Sequence, residues 1–340
     1  MSPESSTDDL RIGILGAARI APAAVVKPAR AVDGVHVTAV AARDRERAHA
    51  FAKKHGVDRV LDTYDALVAA PDVDAVYVPL PNGLHAKWTK RALEAGKHVL
   101  CEKPFTANAD EAEDVRALAD AHPDLVVMEA FHYRYHPVAQ RMVDIVNSGV
   151  LGTVRRVETA MCIPLPLPRD IRYRYDLAGG SVMDVGCYAI HMLRTASGEE
   201  PSVKLARARL ASPDVDRWMQ ATFTLPSGAE GKMTCALWSS TLLRIGVTVG
   251  GDDGELRLFN PTGPHLYHRL TVWTRGAGGG RRRERVAGSR TPTYSYQLEA
   301  FRDAVRGDRA RNLTPPVDSV ANMRVVDAVY DAAGLRRRGT

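Results

Sequence analysis

The stretch Arg11-Ile-Gly-Ile-Leu-Gly16-Ala-Ala-Arg-Ile-Ala21 decides the fold. Residues 11–16 are a short apolar run, which predicts a buried strand. The alanine-rich residues 17–31 predict a helix that Pro22 and Pro28 make irregular. A strand that passes through a glycine turn into a helix is typical of a nucleotide-binding βαβ unit. The sequence therefore predicts that a parallel sheet begins here.

The same alternation of strand and helix continues to about residue 128. Further strands are predicted at 36–42, 74–79, 99–101 and 125–128, and further helices at 44–55, 85–95 and 109–121. This spacing is typical of a doubly wound parallel sheet. We therefore predict a dinucleotide-binding Rossmann domain over residues 10–128, preceded by a disordered polar tail at residues 1–9.

The pattern changes after Glu129. Helices are predicted at 138–147, 184–196, 296–306 and 318–333, and segments of alternating polarity at 219–225, 232–237 and 243–250. Such alternation suits antiparallel strands that have one exposed face. The glycine-rich residues 276–283 are predicted to be a mobile loop. Residues 129–340 are therefore predicted to form an α+β domain with a large, mostly antiparallel, open-faced sheet.

Composition excludes several classes of protein. The chain has 340 residues, a formal charge of +6, 45% hydrophobic residues and no apolar run that approaches the ~18 residues of a membrane span. The arginine runs 281–283 and 336–338 lack interleaved aromatic residues, so we interpret them as solvated loop and tail charge. We expect no nucleic-acid partner and no membrane partner.

Cysteine usage and the start of the chain indicate a compartment. Cys101, Cys162, Cys187 and Cys235 are far apart and form no CxxC pair, which favours free thiols and argues against a structural zinc site. The polar, acidic first residues lack the basic and apolar regions of a signal peptide. We therefore expect a cytoplasmic protein.

The turn after the first strand is a candidate phosphate site. Gly16-Ala17-Ala18-Arg19-Ile20-Ala21 matches the pattern G-x-G-x-x-G/A, except that Ala18 replaces the second glycine. A helix that begins here favours an anion such as a pyrophosphate. The alternative is a tightly packed turn without a ligand. We predict cofactor contacts from Gly16, Ala17, Ala18, Arg19 and Ile20.

The end of the second strand indicates which dinucleotide binds. An NAD site places Asp or Glu about 20 residues beyond the motif, whereas this chain has Arg43 there, followed by Asp44. A guanidinium pairs with a 2′-phosphate, so NADP is favoured and NAD stays possible. Asp44 could reach the ribose or could cap the helix that begins at Arg45. Arg47 is a second candidate phosphate contact.

A lysine follows another predicted strand, in His98-Val-Leu-Cys-Glu-Lys-Pro104. Lys103 stands at the carboxyl end of a parallel strand, which is where open α/β sheets bind ligands. Burial there is expected to lower the pKa of its amine and suit it to proton work. Pro104 fixes the turn that aims Lys103, and a cis bond is one way to do so. The alternative is a solvated ion pair at the end of the strand.

A glycine pair leads into the helix predicted at residues 184–196. Asp184 and Tyr188 are four residues apart in it, so a helix places both on one face. Taken alone, these residues are better explained as a helix cap and a core tyrosine than as catalytic groups.

Several motifs occur together in one order. Gly13-Ile-Leu-Gly16, Pro81-Asn82 with His85, Glu102-Lys103-Pro104 and Asp184-x-Gly186-x-Tyr188 follow each other along the chain. Together they resemble the glucose-fructose oxidoreductase/inositol dehydrogenase/MocA family over about residues 11–335. The segments 129–137 and 170–173 extend the resemblance toward the branch of dimeric dihydrodiol dehydrogenases and NADP-dependent xylose dehydrogenases.

This resemblance implies a reaction centre. It implies a nicotinamide between the two domains, with Lys103 touching the reacting oxygen and Tyr188 exchanging its proton while hydride moves to or from C4. We expect the Lys103 ammonium to lower the pKa of the Tyr188 phenol toward working pH. Asp184 would orient substrate hydroxyls. The remaining candidates are cofactor contacts at Leu80, Pro81, Asn82, His85 and Glu102, and substrate contacts at Arg172 and His191, with a structural salt bridge equally open for Arg172.

The resemblance also implies a substrate class and an assembly. The substrate would be the secondary alcohol or ketone of a sugar, cyclitol or vicinal diol. The second domain would bind this substrate, and its antiparallel sheet would join copies into a homodimer or homotetramer. The alternative function is a non-catalytic protein of the same fold that senses the nucleotide. Lys103 and Tyr188 together favour the enzyme.

The histidines after Glu129 are a weak metal candidate. His132 and His136 are four residues apart, but no HExxH pattern is present and Pro137 follows directly. We therefore predict no metal and assign this segment to interdomain packing and the cofactor pocket.

Overall fold

The first sheet is parallel and has six strands in the order β3-β2-β1-β4-β5-β6. The computed structural model describes residues 9–167, 169–276 and 279–339, so residues 1–8 of the predicted tail lie outside it. The strands are β1 (Leu10–Leu15), β2 (Val35–Ala41), β3 (Arg59–Leu61), β4 (Ala75–Val78), β5 (His98–Cys101) and β6 (Val127–Glu129). The order reverses between β1 and β4, which opens a crevice at their carboxyl ends. The predicted doubly wound sheet is confirmed.

Helices connect these strands. The irregular first helix consists of a π-helical turn at Pro22–Val26 and α1 (Lys27–Ala29), and the others are α2 (Arg45–His55), α3 (Tyr64–Val68), α4 (His85–Glu94) and α5 (Ala109–Asp120). The Asp44 carboxylate accepts a hydrogen bond from the Arg47 amide at 3.0 Å. Asp44 therefore caps α2, which was one of its two predicted roles.

The second sheet has eight strands in the order β14-β13-β12-β11-β7-β10-β9-β8. They are β7 (Val154–Cys162), β8 (Ser202–Ser212), β9 (Val215–Thr224), β10 (Glu230–Ala236), β11 (Arg244–Gly251), β12 (Gly254–Phe259), β13 (Arg269–Thr274) and β14 (Gly280–Glu284). The pair β7 and β10 is parallel, and the other neighbouring pairs are antiparallel. The mostly antiparallel sheet is confirmed.

One face of this sheet is covered. The remaining helices are α6 (Pro137–Asn147), α7 (Cys187–Ser197), α8 (Thr293–Val305) and α9 (Pro316–Ala332), and a π-helical turn at Val182–Gly186 runs straight into α7. The Thr159 hydroxyl of β7 donates a hydrogen bond to the Ala189 carbonyl of α7 at 2.8 Å. Along β12, Leu256 and Leu258 are buried while Arg257 between them is exposed. The sheet is therefore apolar toward α7 and polar on its open face.

Helix α8 packs against the first sheet. Its side chains Leu298, Phe301 and Ala304 are buried in the same cluster as Ile12 and Leu100. The chain thus returns to the Rossmann domain after it has built the second sheet. The alternation pattern did not predict this return, because it depends on contacts that are distant in sequence.

The structure corrects the interpretation of both arginine runs. Residues 280–284 form strand β14, which pairs with β13 (Val272 with Arg282). The loop predicted at residues 276–283 is therefore wrong for residues 280–283. Residues 277 and 278 lie outside the described part of the chain. An exposed edge strand accommodates arginine side chains. In the second run Arg338 is fully buried against Asp216 rather than solvated.

Two further features bear on the sequence analysis. All four cysteines are buried and free, as predicted. Among the described helices, none combines the length and apolar character that crossing a bilayer requires.

Candidate active site

Lys103 links the two domains. It follows β5, its bond to Pro104 is cis, and its side chain reaches the turn that precedes α7. The Nζ atom donates hydrogen bonds to the Asp184 carbonyl oxygen at 2.8 Å and to Asp184 Oδ1 at 3.2 Å. Two motifs that lie 81 residues apart therefore meet at one ion pair.

The charge state of Lys103 differs from the prediction. Burial lowers the pKa of its amine, but Asp184, Cys187 and Glu102 together raise it more, and the pKa lies above its ordinary value. The predicted lowered pKa is wrong, because the sequence did not show that the buried amine has a carboxylate partner. Lys103 is therefore an ammonium that donates hydrogen bonds rather than a proton acceptor.

Asp184 holds two cations. Its Oδ1 accepts from Lys103, and its Oδ2 lies 3.1 Å from Arg172 Nε. Burial raises the pKa of Asp184, but Lys103 and Arg172 lower it more, so the carboxylate is ionised. Arg172 also pairs with Asp170 at 3.0 Å, and its side chain is 42% exposed. The structural salt bridge considered for Arg172 is present, and contact with substrate stays a prediction.

Tyr188 lies beside Lys103. The Nζ atom of Lys103 is 5.2 Å from the centroid of the Tyr188 ring, and Tyr188 is 5% exposed. Burial, followed by neighbouring Tyr294 and Glu102, raises the pKa of the Tyr188 phenol well above its ordinary value. The predicted lowering of this pKa is wrong, since burial and the neighbouring groups all raise it. Tyr188 is therefore held as a neutral phenol.

The turn after β1 has the conformation that the glycine motif requires. Gly16 has φ 96°, and its amide donates to the Ala41 carbonyl at 2.6 Å. A Cβ atom on Gly16 would also lie 3.2 Å from Leu80 at the end of β4. Ala17 and Ala18 are half-buried in this turn. The turn is therefore a small-residue cradle at the crevice between β1 and β4.

Three side chains around this turn are open to solvent. Arg19, Ile20 and Arg43 are exposed, and Arg43 lies two residues beyond the end of β2. In the ranges that the structure describes, neither Arg19 nor Arg43 has an ion-pair partner. Arg47 approaches the same turn, with Nη2 3.4 Å from the Ala17 carbonyl oxygen. The guanidinium groups of Arg19, Arg43 and Arg47 thus place positive charge beside the turn.

The loop after β4 connects this turn to Lys103. Asn82 Nδ2 donates to the Ala178 carbonyl at 3.0 Å, and Leu80 and Pro81 precede it at the crevice. His85 is fully buried, with Nδ1 2.7 Å from the Pro104 carbonyl oxygen and Nε2 2.8 Å from the Leu80 carbonyl oxygen. The predicted cofactor contact of His85 is therefore corrected, because both ring nitrogens are engaged with backbone.

Glu102, the residue before Lys103, is hydrogen bonded to Tyr77. Its Oε1 accepts a hydrogen bond from the Tyr77 hydroxyl at 2.7 Å, and it is buried. Burial raises the pKa of its carboxyl. The predicted contact of Glu102 with cofactor is not tested by this geometry.

Comparison with known proteins gives the family. Residues 10–130 match the model of the oxidoreductase family with an NAD-binding Rossmann fold, GFO_IDH_MocA, and residues 139–257 match the GFO/IDH/MocA C-terminal domain. The chain belongs to the GFO/IDH/MocA oxidoreductases. The predicted family and its nicotinamide dinucleotide cofactor are confirmed.

Individual GFO/IDH/MocA members resemble between two thirds of the chain and nearly all of it. The D-xylose 1-dehydrogenase (NADP(+)) 2 of Haloferax volcanii is 38% identical over 95% of this chain and 97% of its own. The trans-1,2-dihydrobenzene-1,2-diol dehydrogenase of Sus scrofa is 31% identical over 66% of each chain. The 3-ketoreductase KijD10 of Actinomadura kijaniata, solved with NADP and TDP-benzene, has a TM-score of 0.84 at 31% identity and covers 95% of this chain and 98% of its own. Both kinds of enzyme in the predicted branch, a xylose dehydrogenase and a dihydrodiol dehydrogenase, are therefore among the relatives.

His191 does not face the crevice of this GFO/IDH/MocA protein. It is buried, its Nδ1 is 2.6 Å from the Tyr133 hydroxyl, and its Nε2 is 2.9 Å from Asp318 Oδ2. Its ring also stacks on Phe131 with centroids 4.1 Å apart. The predicted substrate contact is wrong, because both nitrogens are taken by protein groups.

Sequence reasoning missed one residue beside the reaction centre. Tyr294, at the start of α8, packs on His132 with ring centroids 4.1 Å apart, and His132 lies 5.8 Å from Tyr188. His132 Nδ1 also lies 2.8 Å from Thr293 Oγ1. His132 therefore packs between Tyr188 and the start of α8, and the interdomain packing predicted for it stays a prediction. No local sequence motif identifies Tyr294, because it reaches this position only when α8 packs back against the first sheet.

The same segment was considered for metal binding. His136 Nδ1 accepts from the Val138 amide at 3.2 Å, and its Nε2 is 3.2 Å from the Thr291 carbonyl oxygen. Within the described ranges, no group of three or more His, Cys, Asp or Glu side chains is arranged to hold a metal ion.

Proposed function

We propose that this protein is an NADP-dependent dehydrogenase or reductase that acts on a secondary alcohol or ketone. The hydride would pass between nicotinamide C4 and the carbon of a sugar, cyclitol or vicinal diol. The observation that carries the proposal is the Lys103 ammonium, which is hydrogen bonded to Asp184 and lies 5.2 Å from the Tyr188 ring at the carboxyl ends of the parallel strands.

The residues around the crevice fit a dinucleotide. The Gly16 turn leaves space where a side chain would meet Leu80, and Ala17 and Ala18 keep the backbone accessible. The exposed Arg43 guanidinium suits a 2′-phosphate, because it has no carboxylate partner among the described residues. Bound cofactor supplies the hydride donor or acceptor at C4. Arg43 supports NADP as the preferred form.

Tyr188 and Lys103 have different roles in the proton transfer. The neutral Tyr188 phenol can donate its proton to a ketone oxygen as that oxygen gains negative charge. The Lys103 ammonium can hold the same oxygen and stabilise the phenolate that Tyr188 becomes. In the oxidative direction the proton returns to Tyr188 as the alcohol loses its hydride. Asp184 keeps Lys103 in place and in its charged form.

The substrate class is supported by the relatives. The proteins described above are named for D-xylose, a dihydrobenzene diol and a 3-keto group, and one was solved with TDP-benzene. All three named reactions interconvert a hydroxyl and a carbonyl group or remove hydrogen from a diol. We therefore propose a CH–OH substrate with neighbouring hydroxyl groups.

A panel assay tests this proposal. Wild type would be incubated with NADP or NAD and aldoses, inositols and vicinal diols, and with NADPH or NADH and ketosugars, including dTDP-linked ones. We expect turnover with at least one substrate, preference for the NADP form, and loss of turnover in Tyr188→Phe and Lys103→Met. Lys90→Met is a matched control, since Lys90 pairs with Asp114 on the surface. Cofactor binding without turnover across the panel would favour the nucleotide-sensing alternative.

The open sheet face supports a proposal on assembly. Trp273 is 42% exposed on β13, and Arg156 of β7 pairs with Glu255 of β12 at 2.5 Å across the intervening strand β11. We propose that this face joins two or four copies of the chain, in the cytoplasm. Light scattering of wild type and Trp273→Glu tests it: a monomeric wild type would contradict the proposal, and a smaller assembly in the variant would support it.

A further inference from the structure

A buried ion pair lies under the start of the active-site helix. Arg338, in the segment after α9, has Nη2 3.1 Å from Asp216 Oδ1, and both side chains are 0% exposed. The Arg338 guanidinium also lies 4.1 Å from the centroid of the Tyr330 ring. Neither residue touches the reaction centre. Any effect of the ion pair on the reaction must therefore pass through its contacts with the start of the helix.

Asp216 caps the turn that leads into α7. Its Oδ2 accepts hydrogen bonds from the Ser181 hydroxyl at 2.5 Å and from the Val182 amide at 2.8 Å. Its Oδ1 accepts from the Tyr330 hydroxyl at 3.0 Å as well as from Arg338. Both carboxylate oxygens are therefore saturated, and the π-helical turn at Val182–Gly186 has a fixed beginning.

Arg338 holds the backbone just before this turn. Its Nε donates to the Gly179 carbonyl at 2.6 Å. Gly180 has φ 135°, and a Cβ atom there would lie 2.8 Å from the Tyr330 hydroxyl and 2.9 Å from Arg338 Nη2. Gly180 is thus explained by direct contact of its backbone with the ion pair.

One turn of backbone connects the pair to Lys103. The Asp184 amide donates to the Gly180 carbonyl at 3.0 Å. The Asp184 carbonyl and carboxylate oxygens in turn accept from Lys103 Nζ. A displacement of Gly180 would therefore move Asp184, and with it the Lys103 ammonium.

We propose that Arg338 and Asp216 are positioning residues for the reaction centre. The pair sets the place of the turn that carries Asp184, and thereby the place of Lys103 relative to Tyr188. This inference rests on the roles proposed for Lys103 and Asp184. Since a misplacement of about 1 Å can cost on the order of 100-fold in rate, a pair outside the crevice can control turnover.

The test separates positioning from folding. Arg338→Met alone leaves the Asp216 carboxylate buried without a cation and can unfold the chain. The double variant Arg338→Met with Asp216→Asn removes both charges, and its asparagine oxygen can still accept from Ser181. Arg338→Lys keeps the positive charge but lacks the planar guanidinium group, which also donates a hydrogen bond to the Gly179 carbonyl. Arg337→Met is the matched control, because the neighbouring Arg337 pairs with Asp331 on the surface.

Two measurements are made on each full-length variant. The first is kcat and KM for NADP and substrate, and the second is amide hydrogen exchange of residues 179–188. For the folded double variant we expect kcat to fall by about 10- to 100-fold, KM for NADP to stay within twofold, and exchange to rise in residues 179–188. Arg338→Lys should recover part of kcat, and Arg337→Met should match wild type.

Two results would overturn the inference. One is a folded double variant with wild-type kcat and exchange, and the other is a loss of activity accompanied by faster exchange throughout the chain. If wild type itself has no turnover on the panel, the proposed function fails. Exchange in residues 179–188 then still decides whether the pair holds the turn, so the two failures are distinguishable.

Discussion

The start of the active-site helix and the turn after β1 both lead from a glycine into a helix at the crevice, yet they are held in opposite ways. Residues 179–184 are fixed by buried charges, with Asp216, Arg338 and Lys103 all bonded to them. The turn at residues 16–20 is bordered by exposed side chains, and Arg43 beside it has no ion-pair partner among the described residues. The difference teaches that the chain fixes its proposed catalytic groups by internal contacts, whereas the arginines proposed to bind phosphate are exposed.

Removal of the Lys103 ammonium should have the largest effect on the fixed region. Lys103→Met is expected to lower kcat by about 10²–10⁴-fold, because the reacting oxygen and the Tyr188 phenolate lose their cation. Steady-state assays with the best substrate of the panel measure this. Asp184 is then left with Arg172 alone, so folding is checked by the unfolding midpoint. A fall of less than threefold would contradict the role of Lys103.

Loss of the Asp184 charge should have the next largest effect and should change the pH profile. Asp184 raises the pKa of Lys103, so Asp184→Asn is expected to lower that pKa. The alkaline limb of kcat, where Lys103 loses its proton, should move to lower pH, and kcat at neutral pH should fall by about tenfold. Asp170→Asn is the control, since Asp170 also pairs with Arg172 but lacks contact with Lys103. An unshifted alkaline limb in Asp184→Asn would show that Lys103 does not limit the reaction there.

Arg43→Ala probes the open region and should leave kcat unchanged. We expect KM for NADP to rise by about tenfold, which corresponds to about 1.4 kcal/mol, and KM for NAD to stay within twofold. The control is Arg45→Ala, because Arg45 is exposed nearby and pairs with Asp62 at 3.1 Å. Equal changes of both KM values would mean that Arg43 does not contact the 2′-phosphate.

Ala18→Gly should have the smallest effect. Ala18 occupies the second glycine position of the motif, and its carbonyl accepts from the Ala21 amide at 3.2 Å. If the turn already accommodates a pyrophosphate, removal of one methyl group should change the dissociation constant of NADPH by less than about threefold. Fluorescence titration measures it. Tightening by tenfold or more would show that Ala18 displaces the phosphates.

The sequence predicted the fold and the residues of the reaction centre better than it predicted their charge states. Alternation and motif order predicted both sheets, and they placed Lys103, Asp184 and Tyr188 in one centre. Charge states were wrong, because the pKa of Lys103 depends on the distant Asp184 and that of Tyr188 on burial. His191 and Arg338 were misjudged for the same reason. Their partners, Asp318 and Asp216, lie more than one hundred residues away and are brought together by packing.

The most direct test of the account is Tyr188→Phe, measured for turnover and for cofactor binding in the same preparation. Tyr188 is buried on α7, whereas the Gly16 turn follows β1, so we predict that kcat falls by about 10³-fold while the dissociation constant of NADPH stays within twofold. A kcat within tenfold of wild type, or a loss of activity explained wholly by weaker NADPH binding, would contradict the claim that Tyr188 transfers the proton.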